Sequence, residues 1–568
     1  MSRELVEKAQ QLLACEKGTV RKPLEGRIRF ALAFPSTYKI GAASLGYQII
    51  YKMINDIHYA VCERVFLPDK TDIEEYNRTK TRLFTLESQT PAAEFDVIAF
   101  SISYELDYIN IAKMLKLAGL PTAATKRDES HPLVIAGGVC ATFNPEPLAD
   151  ICDAFAIGDG EELIRDIASV LIENREIDRQ SVLKTLAHVP GIYVPRFYEP
   201  IYDQTGAFCE INAIGDVPKT VRKRITKNLD SYPADGEIVS SKSEFAGMKL
   251  VEIMRGCGRH CRFCVSGCIG LPPRARKWDQ PPDSARIGLI GASVLDHPNA
   301  RDILESMSRA GIEFSLSSIR LETLTPDIAQ YMHKAGQRTI TLAPEAGSYR
   351  LRKVINKPAT DDEIIHAVGV AYEAGFKRVK LYFMIGLPTE TNEDAAAIAQ
   401  LVSKLAGLYK KLAINVSISS FVPKPWTPFQ WCAMTSRETL KHRIDIIRSR
   451  LAGTNRVSIS AESPREAYEQ ALLARGDRRL GEVIIYAADN DTSCTNAAAK
   501  LGVDTNNYVR SRALDEALPW EHIDPLVTKD YLIEEYKKAL NEIPTDACVV
   551  EVCRRCGVCG EVYEPDLD

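Results

Sequence analysis

Residues 255–264 read Arg-Gly-Cys-Gly-Arg-His-Cys-Arg-Phe-Cys, which places Cys257, Cys261 and Cys264 at C-x3-C-x2-C spacing. The apolar run Lys249–Met254 comes directly before this loop and has the pattern of a buried strand. Three thiolates can hold three irons of a [4Fe–4S] cluster and leave the fourth iron open to a ligand. The loop therefore predicts an iron–sulfur cluster at the end of a strand.

Zinc is the alternative for this loop, because three cysteines and His260 could form a Cys3His site. The x3 and x2 spacing, with Phe263 directly before the last cysteine, is unlike a zinc knuckle. Iron–sulfur is therefore favoured over zinc. Cys268 follows four residues later, and its role stays undecided.

Strands and helices alternate on the C-terminal side of the loop, as the hydrophobic pattern indicates. The candidate strands are Lys249–Met254, Ile287–Ile290, Phe314–Ser317, Thr339–Ala343, Arg378–Phe383 and Val416–Ser420. Six such units fall short of the eight of a complete TIM barrel, so the pattern predicts a partial (β/α)6 barrel.

A second alternation precedes the loop. Its apolar runs are Ile28–Phe34, Phe95–Ser103, Pro132–Ala136 and Ala154–Ile157, and glycines follow the last two. Apolar strands alternating with helices predict a parallel sheet with helices on both faces. The predicted fold class is α/β, with a Rossmann-like N-terminal domain, a partial TIM-type barrel and a helical C-terminal extension.

The predicted domain organisation has five parts. They are a Rossmann-like domain at 1–180, a connector with hairpins at 181–244, the partial barrel at 245–435, a helical extension at 436–543 and a Cys-rich tail at 544–568.

Composition narrows the class of protein. The chain has 568 residues, a formal net charge of -5 and 26% charged residues, which excludes a disordered or collagen-like chain. No apolar run approaches the ~18 residues that a membrane span needs. A cytoplasmic location is expected, where the 15 cysteines indicate metal or redox chemistry rather than disulfides. Seven scattered cysteines fit small buried apolar residues: Cys15, Cys62, Cys140, Cys152, Cys209, Cys432 and Cys494.

The C-x3-C-x-F-C loop, with further motifs in the expected order over about residues 245–435, resembles the radical S-adenosylmethionine (SAM) superfamily. The later motifs are Ile287–Ala292 with Ser293, Ser317–Arg320, Pro344–Ser348, Phe383–Pro388 and Phe421–Phe429. In that family the open iron chelates SAM, and electron transfer cleaves SAM to a 5'-deoxyadenosyl radical that abstracts hydrogen.

The resemblance implies roles for single residues around SAM. Ser293 would meet the amino group, although the usual Gly-Gly-Glu is missing there, and Arg320 would bind the carboxylate. Glu345 would lie near the ribose. The cofactor-binding positions implied beside these are Phe263, with Ile385 and Gly386 against the adenine.

Gly137-Gly138 and Gly158-Asp159-Gly160 resemble the cobalamin-binding-type domain that precedes many radical SAM barrels. Where such domains carry D-x-H-x-x-G, this chain reads Ser36-Thr37-Tyr38-Lys39-Ile40-Gly41. Gly41 is kept, but Tyr38 stands in place of the axial histidine. The resemblance thus leaves two readings, cobalamin bound without a protein nitrogen ligand, or the fold without the cofactor.

The tail places Cys548, Cys553, Cys556 and Cys559 at C-x4-C-x2-C-x2-C spacing. The C-x2-C-x2-C part resembles a ferredoxin run, whereas zinc usually takes two separated pairs of ligands. A second [4Fe–4S] cluster is favoured, with zinc as the alternative.

Three functions remain open at this point. The first is a radical SAM enzyme that activates a C–H bond of an unidentified substrate, with methylation as one form, and that draws electrons from a flavodoxin or ferredoxin. The second is sulfur or methylthio insertion into RNA with the tail cluster. The third is a non-enzymatic iron–sulfur electron carrier or redox sensor.

Overall fold

The computed structural model describes residues 1–316, 319–550 and 552–563. The chain forms two compact units. Unit 1 comprises Met1–Lys249, Leu472–Tyr508 and Asp515–Leu526, and unit 2 comprises Leu250–Ala471, Val509–Leu514 and Val527–Asp568.

Unit 1 is built on one six-stranded sheet. Its strands are β1 (Ile28–Phe34), β2 (Ala60–Phe66), β3 (Val97–Ser101), β4 (Leu133–Gly137), β5 (Ala154–Ala156) and β6 (Ile192–Tyr193). The order is β2-β1-β3-β4-β5-β6, and only β6 pairs antiparallel. The order reverses between β1 and β3, where doubly wound sheets place their ligands.

Helices and short ladders surround this sheet. The longer helices are Arg3–Ala14, Leu45–Asp56, Lys70–Thr79, Tyr108–Leu117, Gly160–Glu173, Arg179–Ala187 and Leu480–Asp489, and the shorter ones are Tyr38–Gly41, Val139–Phe143, Cys494–Lys500 and Asn506–Val509. The connector contains the antiparallel hairpin Tyr198–Tyr202 with Phe208–Ala213. Glu16–Lys17 pairs with Val239–Ser240, and Val221–Arg222 pairs with Ile523–Asp524.

Unit 2 contains two neighbouring groups of strands. They are β7 (Lys249–Glu252), β8 (Arg286–Ile290) and β9 (Glu313–Leu316), then β10 (Thr339–Glu345), β11 (Arg378–Ile385), β12 (Ala413–Ser420) and β13 (Val457–Ala461). The pairings β8–β9, β10–β11, β11–β12 and β12–β13 are parallel, and a parallel bridge from Ile319 to Leu342 links one group to the other.

The helices of unit 2 follow the strands in βα order. They are Ala300–Arg309, Pro326–Lys334, Tyr349–Val354, Asp361–Glu373, Asn392–Leu408, Arg437–Leu451, Pro464–Ala474, Lys529–Leu540 and Val558–Tyr563. Capping boxes start two of them, with Thr360 opposite Glu363 and Thr391 opposite Asp394, so the first-turn N–H groups have local acceptors.

The α/β class with parallel sheets is as predicted, and β13 adds a seventh strand to the six expected. β13 lies in the segment expected to be helical. Its sequence, Val-Ser-Ile-Ser-Ala, is short and half polar, so no apolar run marks it, and this composition suits a partly exposed strand. The predicted end of the third barrel strand, Ser317, lies outside the described residues. Within the described ranges no helix is both long and apolar enough to cross a membrane.

Candidate cluster site

The cysteine loop leaves β7 through a tight turn. Gly256 has φ +78°, and a Cβ there would lie 2.2 Å from the carbonyl oxygen of Gly270, so the turn requires glycine. Met254–Arg255 pairs antiparallel with Arg274–Ala275 and closes the base of the loop. The loop is therefore an excursion with fixed ends at the carboxyl end of a strand.

The thiols of Cys257, Cys261 and Cys264 lie near one another and near two cations. Burial raises the pKa of all three thiols, that of Cys261 to about 12. The charge of Lys357 acts against this on Cys261 and Cys264, and the charge of Arg320 does so on Cys257 and Cys261. Three thiols beside two cations are a donor set suited to iron–sulfur ligation.

Among the described side chains, no three histidine, cysteine or carboxylate groups converge on one metal ion. A single zinc ion needs its ligands about 2.3 Å from one centre, whereas a cluster distributes its thiolates over separate irons. The loop thus fits a cluster better than a preformed mononuclear site.

Arg320 lies beside the cysteines with a donor to spare. Its guanidinium pairs with Glu322, while its Nε is buried and has no hydrogen-bond partner among the described residues. A buried guanidinium donor without an acceptor is costly unless a ligand supplies one. An anionic group bound at the cysteines would do so.

Ser293 and Asp296 meet on the loop after β8. Asp296 pairs with Arg259 of the cysteine loop, and hydrogen bonds from Arg259 and Ser293 hold its pKa below the usual value against the effect of burial. Its charge also acts on Cys257. Sequence reasoning named Ser293 but missed Asp296, which lies three residues beyond it on the same loop.

Glu345 ends β10 in the left-handed region, with φ +66°. Its carboxylate lies 3.1 Å from Nζ of Lys357. No motif marks Lys357, since it reaches the cysteines only through the fold. The pair brings one carboxylate and one ammonium group to the cluster loop.

The remaining motifs pack into one apolar cluster. Phe263 and Met384 lie against a group of buried side chains that includes Ala346, Leu387, Phe421 and Phe429. Residues from the cysteine loop, the end of β10, the end of β11 and the segment after β12 therefore meet here. Motifs that are far apart along the sequence are therefore close together in space.

The predicted adenine contacts differ from one another in environment. The side chain of Ile385 is fully buried in the barrel core. Gly386 has φ +85°, its N–H donates to Glu390, and its carbonyl accepts from Oγ1 of Thr435 at 3.0 Å. Any ligand contact at these two positions stays a prediction.

Arg262, between the second and third cysteines, is fully buried. Its guanidinium donates to Glu535 at 3.0 Å and to the carbonyls of Lys353, Val354 and Ile543 at 2.7–3.1 Å. These contacts tie the loop to two distant stretches of unit 2. The spacing of the cysteines alone did not predict these contacts of Arg262.

Residues at the predicted cobalamin edge of unit 1 contact other parts of that unit. The hydroxyl of Tyr38 donates to Glu16 at 2.6 Å and accepts from the hydroxyl of Ser240 at 2.8 Å. A Cβ on Gly41 would lie 2.5 Å from the ring of Phe66, and one on Gly138 would lie 2.5 Å from the carbonyl oxygen of Ile102.

The first glycine of the Gly137-Gly138 pair would place a Cβ 3.6 Å from that of Ala156, which is ordinary contact. Together these contacts show glycines that serve chain packing at the reversal of strand order. Tyr38, Gly41 and Gly138 are thus engaged within unit 1, and cobalamin contacts at these positions and at Gly137 stay a prediction.

A buried network in unit 1 lay beyond sequence reasoning. Glu146, after β4, pairs with Arg478 at 3.1 Å and accepts from the hydroxyl of Tyr193. The side-chain amide of Asn144 donates to the carbonyls of Ala474 and Gly476. The segment 474–478 is thereby fixed on the loop that follows the fourth strand.

Comparison with known proteins assigns the family. The model for "Radical SAM proteins, N-terminal" matches residues 46–195, and the model for "Radical SAM superfamily" matches residues 251–402. The second match includes the cysteine loop, Ser293, Arg320 and Glu345. The chain belongs to the radical SAM superfamily.

Among its relatives is the uncharacterized protein MJ0966 of Methanocaldococcus jannaschii, 28% identical over 83% of this chain and 93% of that protein. The radical SAM methyltransferase TsrM of Kitasatospora setae, solved with cobalamin and a [4Fe–4S] cluster, is 14% identical, with TM-score 0.46 over 69% of this chain and 75% of that one. The cobalamin-dependent radical SAM enzyme OxsB gives 13% identity and TM-score 0.45 over 66% and 52%. Both TM-scores lie below 0.5, so the assignment rests on the sequence matches.

Proposed function

We propose that this chain is an enzyme that binds SAM at a [4Fe–4S] cluster held by Cys257, Cys261 and Cys264. It would cleave SAM reductively and use the 5'-deoxyadenosyl radical to abstract hydrogen from an unactivated C–H bond. The observation that carries the proposal is the set of three partly buried thiols beside the unsatisfied Nε of Arg320.

A cluster held by the three cysteines would supply the one electron that cleaves the C–S bond of SAM to methionine and the 5'-deoxyadenosyl radical, and abstraction of a hydrogen atom from the substrate would convert that radical to 5'-deoxyadenosine. The protein's part is to bind, orient and exclude water.

Charged residues around the loop match the two charges of the methionine part of SAM. Arg320 offers a buried donor to the carboxylate, and Asp296 offers a carboxylate to the ammonium group. Arg259 holds Asp296 in place. We assign the amino-group contact to Asp296 together with Ser293, which hydrogen-bonds to it.

Glu345 and Lys357 would lie on the ribose side, where the motif at Pro344–Ser348 resembles the ribose segment of the family. The apolar cluster around Phe263 and Phe429 excludes water from that side of the site. Excluding water protects a carbon radical and strengthens the ionic contacts. Radical SAM enzymes need a one-electron reductant, and a flavodoxin or ferredoxin is the expected donor.

We propose that unit 1 keeps the cobalamin-type fold without holding cobalamin at Tyr38–Gly41. The engaged hydroxyl of Tyr38 and the filled space at Gly41 and Gly138 support this. Cobalt content after growth with added cobalamin tests it. Stoichiometric cobalt in the purified protein would overturn it.

Reductive cleavage is tested on protein purified anaerobically, with SAM and dithionite, by measuring 5'-deoxyadenosine and methionine. The triple variant Cys257→Ala, Cys261→Ala, Cys264→Ala should lose cleavage entirely. Cys209→Ala, on the exposed connector hairpin, is the matched control and should keep it. Cleavage by the triple variant, or none by iron-loaded wild type, refutes the proposal.

The role of Arg320 is tested by Arg320→Gln. Losing one charge-assisted contact of about 1.4 kcal/mol or more should weaken SAM binding about tenfold. Equilibrium binding of SAM to the reconstituted protein measures this. An unchanged dissociation constant would remove Arg320 from the proposed site.

A further inference from the structure

Four tail cysteines lie near one another in a short loop of unit 2. The thiol of Cys548 is in hydrogen-bond contact with those of Cys553 and Cys559, and Cys556 is near enough to influence all three. Cys556 and Cys559 are each 2% exposed. Four neighbouring thiols in one short loop are a candidate set of ligands for an iron–sulfur cluster.

Main-chain donors point at these sulfurs. The N–H of Arg555 donates to Cys553, and the N–H of Val558 donates to Cys556. Hydrogen bonds from the backbone to thiolates are among the factors that set the potential of iron–sulfur clusters. Two backbone N–H groups of the loop are thus directed at sulfur atoms, although burial raises the pKa of Cys548, Cys556 and Cys559.

The tail lies directly on the Cys257–Cys264 loop. The N–H of Cys548 donates to the carbonyl of Gly258 at 2.7 Å. A Cβ on Gly258 would lie 2.8 Å from the Cβ of Cys548, so this approach requires glycine. Cys548 is therefore separated from Cys257 by one residue and one main-chain hydrogen bond.

Cys268 lies between the two sets of cysteines. It is 3% exposed, and its thiol is influenced by Cys264 and Cys261 from the first set and by Cys556 from the second. Tyr531 adds a second link, because its hydroxyl lies 2.9 Å from Nδ1 of His260 and its ring region adjoins Cys268 and Cys556.

The outer side of the tail differs from its inner side. Val549 and Val552 are 57% and 74% exposed, and Arg554 and Arg555 are exposed beside them. The two arginines form a small basic rim beside these valines, with the exposed Asp546 next to Arg555, and a basic rim suits an acidic protein surface. Cys556 and Cys559 are buried, and Cys556 lies near Cys268.

We propose that Cys548, Cys553, Cys556 and Cys559 hold a second iron–sulfur cluster that receives electrons from an acidic one-electron carrier protein and passes them to the cluster of the Cys257–Cys264 loop. Each turnover moves one electron. The carrier is oxidised by one electron as the tail cluster is reduced, and the tail cluster returns to its oxidised state as the first cluster is reduced. This inference rests on the proposed function for its final acceptor, SAM.

The C-x2-C-x2-C spacing favours iron over zinc, and four cysteine ligands leave no open iron for a substrate. The proximity of the sets and the basic rim therefore favour electron entry. Zinc in the tail, or a tail cluster that feeds sulfur to the product, are outcomes of the test that would overturn the proposal.

The first measurement is iron and sulfide content with electron paramagnetic resonance after anaerobic reconstitution and reduction. Wild type should hold about eight irons, and Cys553→Ala/Cys556→Ala/Cys559→Ala and the loop triple variant about four each. The reduced wild-type spectrum should show spin–spin broadening that the sum of the two variant spectra lacks. Zinc in the loop variant, or a wild-type spectrum equal to that sum, refutes the proposal.

The second measurement compares SAM cleavage driven by reduced flavodoxin with cleavage driven by dithionite. The ratio of the two rates should fall at least tenfold in the tail triple variant. If that variant does not fold, Arg554→Glu should lower the same ratio several-fold, and the loss should deepen as salt is reduced.

Arg448→Glu, an exposed arginine on the helix Arg437–Leu451, is the matched charge control. A ratio unchanged in both tail variants refutes electron entry through the tail. Absence of cleavage in every protein with either reductant refutes the proposed function instead, and the iron count and spectra still decide whether the second cluster exists.

Discussion

Replacing Arg262 with Met should destabilise unit 2 strongly, although the residue need not touch any substrate. Arg262 is fully buried and pairs with Glu535, whose side chain is 1% exposed. Removing one partner of a buried ion pair typically costs about 3–5 kcal/mol, because the other charge is left uncompensated. Three carbonyls also lose a charged donor.

A double-mutant cycle separates the ion pair from those carbonyls. Arg262→Met should cost about 3–5 kcal/mol, while Arg262→Met/Glu535→Leu should cost at least about 1.5 kcal/mol less than the two single changes summed, since no lone charge stays buried. Arg309→Met, in the exposed pair with Glu305, is the control and should cost at most about 0.5 kcal/mol.

Urea unfolding of the metal-free protein, followed by tryptophan fluorescence, measures these changes. Trp426 and Trp431 are buried in unit 2 and report on it. Additive single and double changes, or a loss below about 1 kcal/mol for Arg262→Met, would refute the assignment of Arg262 as the anchor of the loop.

The pH dependence of the same variant gives an independent check. Hydrogen bonding by Thr545 and the charges of Arg262 and Lys538 hold the pKa of Glu535 below its usual value, against the effect of burial. A depressed carboxyl pKa stabilises the fold above the unfolded value of about 4.3, and that stabilisation is lost as pH falls through the folded value. The stability gap between wild type and Arg262→Met should therefore narrow from pH 7 to pH 4.

Three further predictions concern single positions. Asn356→Ala should cost about 2–3 kcal/mol and lower iron retention, because its amide bonds the carbonyl of His260 and both main-chain groups of Thr545; urea unfolding and iron content measure this. Gly138→Ala should destabilise unit 1 by well over the about 1–2 kcal/mol expected for Gly26→Ala, since both have positive φ but only Gly138 faces a backbone oxygen within 2.5 Å; equal losses in urea would contradict this. Burial raises the pKa of Asp107 to about 6, so this carboxyl destabilises the fold as pH rises from about 4 to 6, and Asp107→Asn should stabilise by about 1–2 kcal/mol at pH 7 but not at pH 4.

Sequence reasoning recovered the strands whose residues are apolar throughout. The first strand of unit 1, Ile28–Phe34, has the bounds that its apolar run indicates. It missed β2, because Glu63 and Arg64 interrupt that strand. Arg64 is buried there through pairs with Glu16 and Glu87, which lie 48 residues before it and 23 residues after it. An ion pair across such distances leaves no local pattern.

The candidate site, too, could be predicted from the sequence only in part. Cysteine spacing is a local property, so both cysteine sets could be named from the sequence. Other residues act on the loop only because the strands of unit 2 and the C-terminal segment bring them there: Asp296, Lys357, Asn356 and Glu535. Tyr38 shows the converse. It stands at a motif position, yet its hydroxyl forms a structural hydrogen bond with Glu16.

Backbone carbonyls of the cysteine loop accept hydrogen bonds from donors outside the loop. The C-terminal segment provides or positions these donors. The carbonyl of Gly258 accepts from Cys548, while the carbonyls of Arg259 and His260 accept from Asn356, which is itself bound to Thr545. His260 also adopts φ +56°, a conformation that a non-glycine residue holds only at a cost. Buried carbonyls without donors would cost about 1–3 kcal/mol each. The loop can therefore keep its shape only while residues 531–548 are in place, so the tail cysteines are carried by the same contacts that shape the first cluster site. Loading of either set should then depend on the folding of one shared segment.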